Sequence, residues 1–414
     1  MNSGRVTISY AGVHQAFQLA LAAQEMGELK DFYCTLYDAP KKWGALFGGY
    51  VGEGSFNGRR VEGLDLDKIT EFPWPLVWKA TRDRFYGRGK DKWLSVNNSF
   101  DWWVSRKIEK SPPKIFVGTA TSDLRCLEVA KRNGSTLVHD CPGLHPLVQA
   151  QIMDEAADRA GIKLRTGIRE RVRNARTSLR GMTARKLLEY SLADILLVYS
   201  DFHRKSFEDA GIAKGRLFLA PLWVDTGQWY REIPRSSERT QKAPLKLLFV
   251  GSIELRKGIP FLLRAVAACG NAVQLTVVGP GGSQTESRLS LEQKNVKYLS
   301  PQPSSKLRKI YESHDVFVLP SVADPFPRVV LEAMACGLPV IETQNCGTPV
   351  PNSSWKVPAM DSESLAKRIM HYVDDRNLVV DHGNEAAAFA AQFGPEKYRQ
   401  NIQGLFKELL RVRN

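Results

Sequence analysis

Two series of short apolar runs, each followed by residues at helical spacing, organise the chain. The first begins at residues 5–10, RVTISY, turns at Ala11-Gly12 and continues as the amphipathic stretch VHQAFQLALAAQEMG. A strand, a glycine turn and a helix in that order predict the opening of a Rossmann-like unit. A second strand is expected at residues 31–36. From residue 38 to residue 103 the period dissolves into segments rich in glycine and aromatics, which read as loops. Regularity returns with the strand KIFVGT, the helix DLRCLEVAKRN and the strand STLVHD, and continues through ADILLVYS, FHRKSFEDAGI and RLFLAP. Residues 226–244 are polar with no apolar period and predict an interdomain linker. A strand at 245–250 starts the second series, which runs through VQLTVVG, residues 295–300, the helix SSKLRKIYESH and a strand at 315–319. Helices are expected at 363–374, 384–392 and 395–412. The division is therefore 1–225 for a first α/β domain, 226–244 for the linker, 245–394 for a second α/β domain and 395–414 for a terminal helix.

A chain of 414 residues has the length for two such cores, and 43% apolar with 25% charged residues is the composition of a soluble globular protein. No run approaches the roughly 18 apolar residues of a membrane helix, and MNSGRVTISYAG lacks the regions of a signal peptide. The cytoplasm is the expected location, with a peripheral position on the inner face of the membrane. The six cysteines show no paired metal spacing and read as small buried thiols.

The net charge of +14 changes the picture because it is unevenly spread. Residues 159–186, from Arg159 to Lys186, hold ten Lys or Arg against one acid, Glu170. Such a block attracts a polyanion: an anionic lipid surface, a phosphorylated lipid acceptor, an acidic polysaccharide or nucleic acid. Equally it reads as a solvated helical face. Six of the nine tryptophans, Trp43, Trp74, Trp78, Trp93, Trp102 and Trp103, fall between residues 38 and 103 among basic residues such as Lys79, Arg82 and Arg84. They read either as an interfacial or sugar-stacking surface or as a core closed over an insertion. The triplet Asp65-Leu66-Asp67 spells a metal motif of a different fold, but three residues are too few to carry a site.

The densest chemistry lies at residues 318–341, VLPSVADPFPRVVLEAMACGLPVI. It reads as a buried strand, a short loop, a helix opened by Pro327 and closed by Gly337, and a second short strand. Asp324 sits in the loop and Glu332 on the helix, with seven residues between them. A helix N-terminus offers unpaired N–H groups and a positive dipole end, a natural seat for a diphosphate.

This stretch resembles the donor-binding signature of the retaining glycosyltransferases of family 4, which have the GT-B fold of two facing Rossmann-like domains. The matching residues are Pro320-Ser321, Asp324, Pro325-Phe326-Pro327, Glu332 and Ala333-Met334-Ala335-Cys336-Gly337-Leu338-Pro339-Val340. Asp324 stands where glutamate is commoner, and prolines flank Phe326 where glycines are usual. Earlier, Gly251-Ser252-Ile253-Glu254-Leu255-Arg256-Lys257-Gly258 is similar to the family's diphosphate clamp. Lys257 matches the clamp lysine. The arginine position is filled by neither Ser252 nor Ile253, which leaves Arg256 as the candidate for the second charge.

The resemblance implies a metal-independent, retaining transfer of a sugar from a UDP- or GDP-linked donor to a glycan, lipid-linked or other hydroxyl acceptor, in polysaccharide or glycolipid synthesis. No cofactor is implied beyond the donor substrate. Gly251, Ser252, Arg256, Lys257 and the helix start at Arg328-Val329 would face the diphosphate. Phe326 and Pro327 would shape the loop, and Ser300 would lie under the base. Glu332 would take the ribose diol and Asp324 the transferred sugar, since an ionised acid accepts from two neighbouring hydroxyls. On the first domain, Gly12, Val13 and His14 inherit an acceptor-side expectation. His139, with Asp140 at a strand end, is aimed at the cleft near the reacting sugar if the sheet is parallel. Read without the resemblance, His14 is a surface or core residue and His139 is bonded to its own loop.

Two other classes compete. The basic block suits a non-enzymatic binder of polyanions or nucleic acid on a Rossmann-like scaffold, although Lys257 and Glu332 make nucleic acid the less natural partner. A nicotinamide oxidoreductase is disfavoured, because Ile253 stands where Gly-x-Gly-x-x-Gly needs its second glycine. An epimerase or hydrolase acting on sugar nucleotides uses the same folds.

Overall fold

The computed structural model describes residues 4–12, 15–51, 59–86, 92–162, 181–230, 243–281 and 293–411. Its two sheets are parallel throughout, so their strands are buried on both faces and read as continuous apolar runs such as IFVGT, ILLV and VFVL.

The first sheet has seven strands in the order β3-β2-β1-β4-β5-β6-β7. They are Val6–Tyr10 (β1), Leu29–Cys34 (β2), Ile69–Glu71 (β3), Ile115–Thr119 (β4), Thr136–Asp140 (β5), Ile195–Val198 (β6) and Leu217–Leu219 (β7). Helix Ala16–Glu25 (α1) makes the first crossover, as its sequence period predicts. The stretch expected to be loops is largely helical: Trp43–Val51 (α2), Trp74–Tyr86 (α3) and Lys92–Lys110 (α4). The apolar residues of these helices are shared between a small satellite core and the surface, so no single clean stripe marks their period. Leu124–Arg132 (α5), Pro146–Ala160 (α6), Gly181–Leu192 (α7) and Asp201–Glu208 (α8) are the other α-helices among the domain's described residues.

The expected linker opens with a helical turn, Thr226–Trp229 (α9), which belongs to the second domain's core. Trp229 is buried edge-on against Tyr311 at 5.6 Å, and Cys336 Sγ donates to its carbonyl at 3.1 Å. The second sheet has the order β10-β9-β8-β11-β12-β13, from Leu245–Val250 (β8), Val273–Val278 (β9), Val296–Leu299 (β10), Val316–Leu319 (β11), Val340–Thr343 (β12) and Lys356–Val357 (β13). Ile259–Cys269 (α10), Ser304–Ser313 (α11), Arg328–Ala335 (α12), Ser362–Asp374 (α13) and Asn377–Ala390 (α14) flank it.

The terminal helix Pro395–Arg411 (α15) crosses back to the first domain. Arg399 pairs with Glu25 at 2.8 Å and donates to Gln18 at 2.9 Å, and the Tyr398 ring lies 4.6 Å from that of Trp223. The domains also meet over α6, where Leu144 and Ala156 pack against Phe261, Val322 and Ala323 of the second domain. Arg264 ties this contact down by donating to the carbonyls of Arg159 and Ala160 at the end of α6.

All six cysteines are free and buried. Among the described residues, no helix is long and apolar enough to cross a membrane.

Candidate functional site

Beyond the carboxyl end of β8 the chain must turn sharply to start α10, and Gly258 makes that turn at φ +74°. A Cβ there would lie 1.8 Å from the carbonyl oxygen of Pro320, so only glycine lets this turn touch the end of β11. The Gly258→Ala variant is therefore expected to lose about 2–4 kcal/mol from backbone strain and the clash together, read as a lowered midpoint of thermal unfolding.

This contact brings Lys257 to Asp324. The Lys257 ammonium pairs with Asp324 Oδ2, and the guanidinium of Arg256 lies 3.5 Å from the same oxygen. Arg256 also donates to Glu254 Oε1 at 2.8 and 3.1 Å, and Ser252 Oγ donates to that oxygen at 2.7 Å. Glu254 thus holds two of the residues expected to face a diphosphate, Ser252 and Arg256. The sequence did not single it out, because an acid two residues before Arg256-Lys257 looks like ordinary surface pairing.

Asp324 is itself fixed from behind. Its N–H donates to the Asn345 carbonyl at 3.1 Å, and its carbonyl accepts from Gly347 N–H at 3.0 Å. Lys356 braces that loop by donating to the carbonyls of Cys346 and Thr348, both at 3.0 Å, and pairing with Glu342 at 2.8 Å. Burial pushes the Glu342 carboxyl up to about 8, opposed by Lys356. Gly347 has no room for a Cβ, which would meet Pro325 O at 1.9 Å and Ser200 Oγ at 2.2 Å. Ser200, from the first domain, donates to Pro325 O at 2.6 Å. The carboxyl ends of the two sheets therefore face each other with the Asp324 loop between them.

Pro327 caps α12, Phe326 is buried beneath the loop, and Arg328 and Val329 form the first turn. Arg328 leans across the domain boundary, its guanidinium 5.0 Å from the Trp223 ring centre and its Nε donating to Trp223 O at 3.2 Å. Glu332 lies one turn on, with Tyr311 Oη 3.4 Å from Oε2. Burial raises its carboxyl above the ordinary range, against the pull of Arg328. Gly251 ends β8 half-buried, and Ser300 is exposed just past β10.

On the first domain, Gly12 is half-buried after β1, a Cβ there meeting the Tyr10 ring at 2.6 Å. Val13 and His14 lie outside the described residues. His139 is a correction. Strand alternation turns its ring away from the sheet end into the interior, where it is fully buried. Its Nδ1 shares a 2.8 Å hydrogen bond with Asp123 Oδ2, and Nε2 lies 3.9 Å from Glu189 Oε2. Gly118 permits this arrangement, since a Cβ there would meet Asp123 Oδ2 at 1.7 Å.

Around His139 a proton-holding cluster forms. Arg185 pairs with Asp101 and, at 2.9 Å, with Glu189, which also accepts from Thr121 N–H at 2.7 Å. Burial and then the Asp123 charge push Glu189 up to about 8, and burial lowers His139. Asp123, His139 and Glu189 have the spacing of a metal-ligand set, with donor atoms within 4.8 Å. His139 Nε2 and Asp123 Oδ1 have no hydrogen-bond partner among the described residues, but Arg185 and Thr121 already occupy Glu189, and the guanidinium so close to the set weighs against a cation. Asp140, His139's neighbour, points the other way and accepts from Tyr199 Oη at 2.5 Å. Burial pushes it up to about 6, and its Oδ2 has no hydrogen-bond partner among the described residues.

A stability signature follows from Glu189. Its folded pKa lies above the ordinary value, so its contribution is complete below about 4.5 and is lost as pH rises through about 8. The loss is on the order of 5 kcal/mol. The thermal midpoint should fall between pH 5 and 9, and Glu189→Gln should flatten that fall, as a pH series of melting curves on both proteins would read.

The basic block lies mostly at 163–180, outside the described residues. Of its described members, Arg159 is exposed and pairs with Glu155 at 2.8 Å. Arg185 turns inward to the cluster, and Lys186 is half-buried. These two cations therefore add little to an outer face.

Two facing α/β domains with a terminal helix crossing back form the GT-B fold, and solved structures share it along the whole chain. Sucrose-phosphate synthase from Thermosynechococcus elongatus superposes with a TM-score of 0.66 at 19% identity, covering 99% of this chain and 100% of that one. Anabaena HepE in complex with UDP-glucose gives 0.59 at 16% identity, covering 97% and 99%. Residues 244–375, in the second domain, match the family model described as Glycosyl transferases group 1. D-inositol 3-phosphate glycosyltransferase of Corynebacterium jeikeium is 29% identical over 243 residues, 52% of this chain and 58% of that protein. The match thus spans little more than half the length of that curated relative.

Proposed function

We propose that the protein transfers a sugar, with retention and without a metal, from a UDP- or GDP-linked donor to a hydroxyl acceptor on a glycan or lipid-linked intermediate. The reading rests on one observation: Lys257 and Asp324 meet at the carboxyl end of the second sheet, beside the N-terminus of α12. Lys257, with Arg256 released from Glu254, would neutralise the leaving diphosphate together with the first-turn N–H groups of α12. Lys257 is paired with Asp324 and Arg256 with Glu254, so each cation has an acid that a diphosphate would replace. When the diphosphate takes the cations, Asp324 is freed to accept from the sugar hydroxyls. Glu332 would accept from the ribose diol. The acceptor hydroxyl would approach from the Gly12 side, with its proton passing to the leaving phosphate, so no side chain serves as nucleophile.

The resemblance of the second domain supports family 4 membership, and the UDP-glucose complex among the structural neighbours supports a nucleotide-sugar donor. A role in polysaccharide or glycolipid synthesis follows from the same resemblance. His139, buried as it is, would act by positioning the β5 end rather than by touching sugar.

The test is slow donor hydrolysis with and without EDTA, followed by proton NMR of the released sugar. Retention of the anomeric configuration and indifference to EDTA are expected. Inversion, or a strict metal requirement, would overturn the mechanism.

A further inference from the structure

Helix α2 reads WGALFGGYV and carries no charged residue, yet its only buried positions are the glycines Gly44 and Gly48. Phe47 and Val51 rest half-buried on the small satellite core, and the other large side chains of this uncharged helix face outward. Leu46 is 71% exposed and Tyr50 37%. The neighbouring helix α3 repeats the pattern. Trp74, Trp78 and Phe85 are spaced four and seven residues apart, which places all three within about 40° of one helical stripe. Trp78 is 67% exposed and Phe85 75%.

The two helices form one surface rather than two. Trp43 stacks on Phe47 at 5.7 Å and meets Trp74 at 5.8 Å, and Tyr50 bonds Thr81 at 2.9 Å. Both helices start at the carboxyl edge of the first sheet. Glu71, the last residue of β3, accepts from Trp43 N–H at 2.8 Å and so caps α2, while α3 begins three residues after it. The same edge carries the Gly12 turn.

We infer that α2 and α3 form a membrane-docking face that lies on an anionic bilayer, with Leu46, Trp78 and Phe85 entering the headgroup and acyl boundary. The occupant is decided by composition and charge. Tryptophan and tyrosine beside aliphatic side chains suit the interface, where one end of the ring is apolar and the other wet. The rim is basic: Lys41 is exposed, and Arg84 is exposed with its guanidinium 4.8 Å from the Tyr50 ring centre. Lys79, paired with Asp83 at 3.2 Å, adds no net charge. A cationic rim around an uncharged aromatic centre complements anionic headgroups, whereas a second copy of the same face would set like charges against each other. This inference stands apart from sugar transfer, because lipid binding is read without donor.

The experiment is co-sedimentation of the full chain with vesicles of phosphatidylcholine alone and with about 30% phosphatidylglycerol, at low salt and at roughly 0.5 M salt. The native protein and a triple variant, Leu46→Ser, Trp78→Ser and Phe85→Ser, are compared, with donor hydrolysis confirming that the variant is folded. Native binding to the anionic vesicles, weakened by salt and reduced at least tenfold in the variant, is the expected result. Equal binding by the variant, or equal binding to neutral vesicles, would overturn it. So would a native dimer in sedimentation velocity that the variant converts to monomer without any vesicle binding.

Discussion

Replacing Lys257 by alanine should lower donor turnover by roughly 10²–10³, the usual cost of removing one group that meets charge developing on a leaving group. Lys257 is the cation nearest Asp324, and Gly258 holds it there by its contact with Pro320. Its loss leaves the diphosphate with Arg256, which Glu254 already engages. A charge left without its partner also costs stability, so the native and Lys257→Ala proteins should be compared by kcat and KM well below the variant's melting temperature. Lys257→Arg separates the two effects: it keeps the pairing with Asp324 and should recover stability more fully than turnover, because a guanidinium cannot reproduce the ammonium's position. Turnover within twofold of native in Lys257→Ala would remove the lysine from the reaction.

Glu332→Ala carries the second large effect, a 10–100-fold loss of affinity for the nucleotide part of the donor. A hydrogen bond to an ionised acid contributes about 1.5–3 kcal/mol, which is that range of affinity. The carboxyl lies on α12 one turn from Arg328, near Tyr311 Oη at 3.4 Å, and so keeps lone pairs to offer a diol. Burial raises its pKa, and a diol donating to it favours the ionised form, so donor affinity should weaken as the solution is acidified. Calorimetric titration of UDP and GDP into native, Glu332→Ala and Glu332→Gln proteins reads both effects. A loss confined to kcat would move Glu332 from the nucleotide to the transferred sugar.

Much of this architecture is legible in the residues. Buried parallel strands announce themselves as short apolar runs, and the glycine turns after β1 and β8 mark where each domain begins. Pro327 and Gly337 bracket α12 nearly to the residue. Helices α2 to α4 escape such reading because their apolar side chains are divided between core and solvent, and a run such as WGALFGGYV has no polar face to give a period. The tryptophans there divide between core and surface: Trp103 stacks on Phe72 at 4.8 Å, while Trp43, Trp74, Trp78 and Trp102 stay exposed.

The candidate site divides in the same way. Lys257 and Asp324 are 67 residues apart, yet each lies in a motif that the resemblance recognises, and the fold joins them. Asn345, Ser200 and Lys356 support them from outside either motif, and Glu254 lies in the clamp stretch without being one of its matching charges, so no local pattern marks them. His139 illustrates the converse. A histidine at a strand end reads as cleft-facing, but which side of a parallel strand faces the site depends on register, and here Asp140 takes the other side with Tyr199. Pairing partners such as Asp123 and Glu189, separated from His139 by 16 and 50 residues, are visible only once the chain is folded.

The account is tested most directly by a panel of nucleotide sugars scored for thermal stabilisation of the native chain and of Glu332→Ala, in EDTA. It predicts that one UDP- or GDP-linked sugar raises the native midpoint and leaves the variant unmoved. Stabilisation of neither protein by any sugar nucleotide, alongside tight binding of polyanions at low salt, would contradict it and favour a polyanion-binding scaffold.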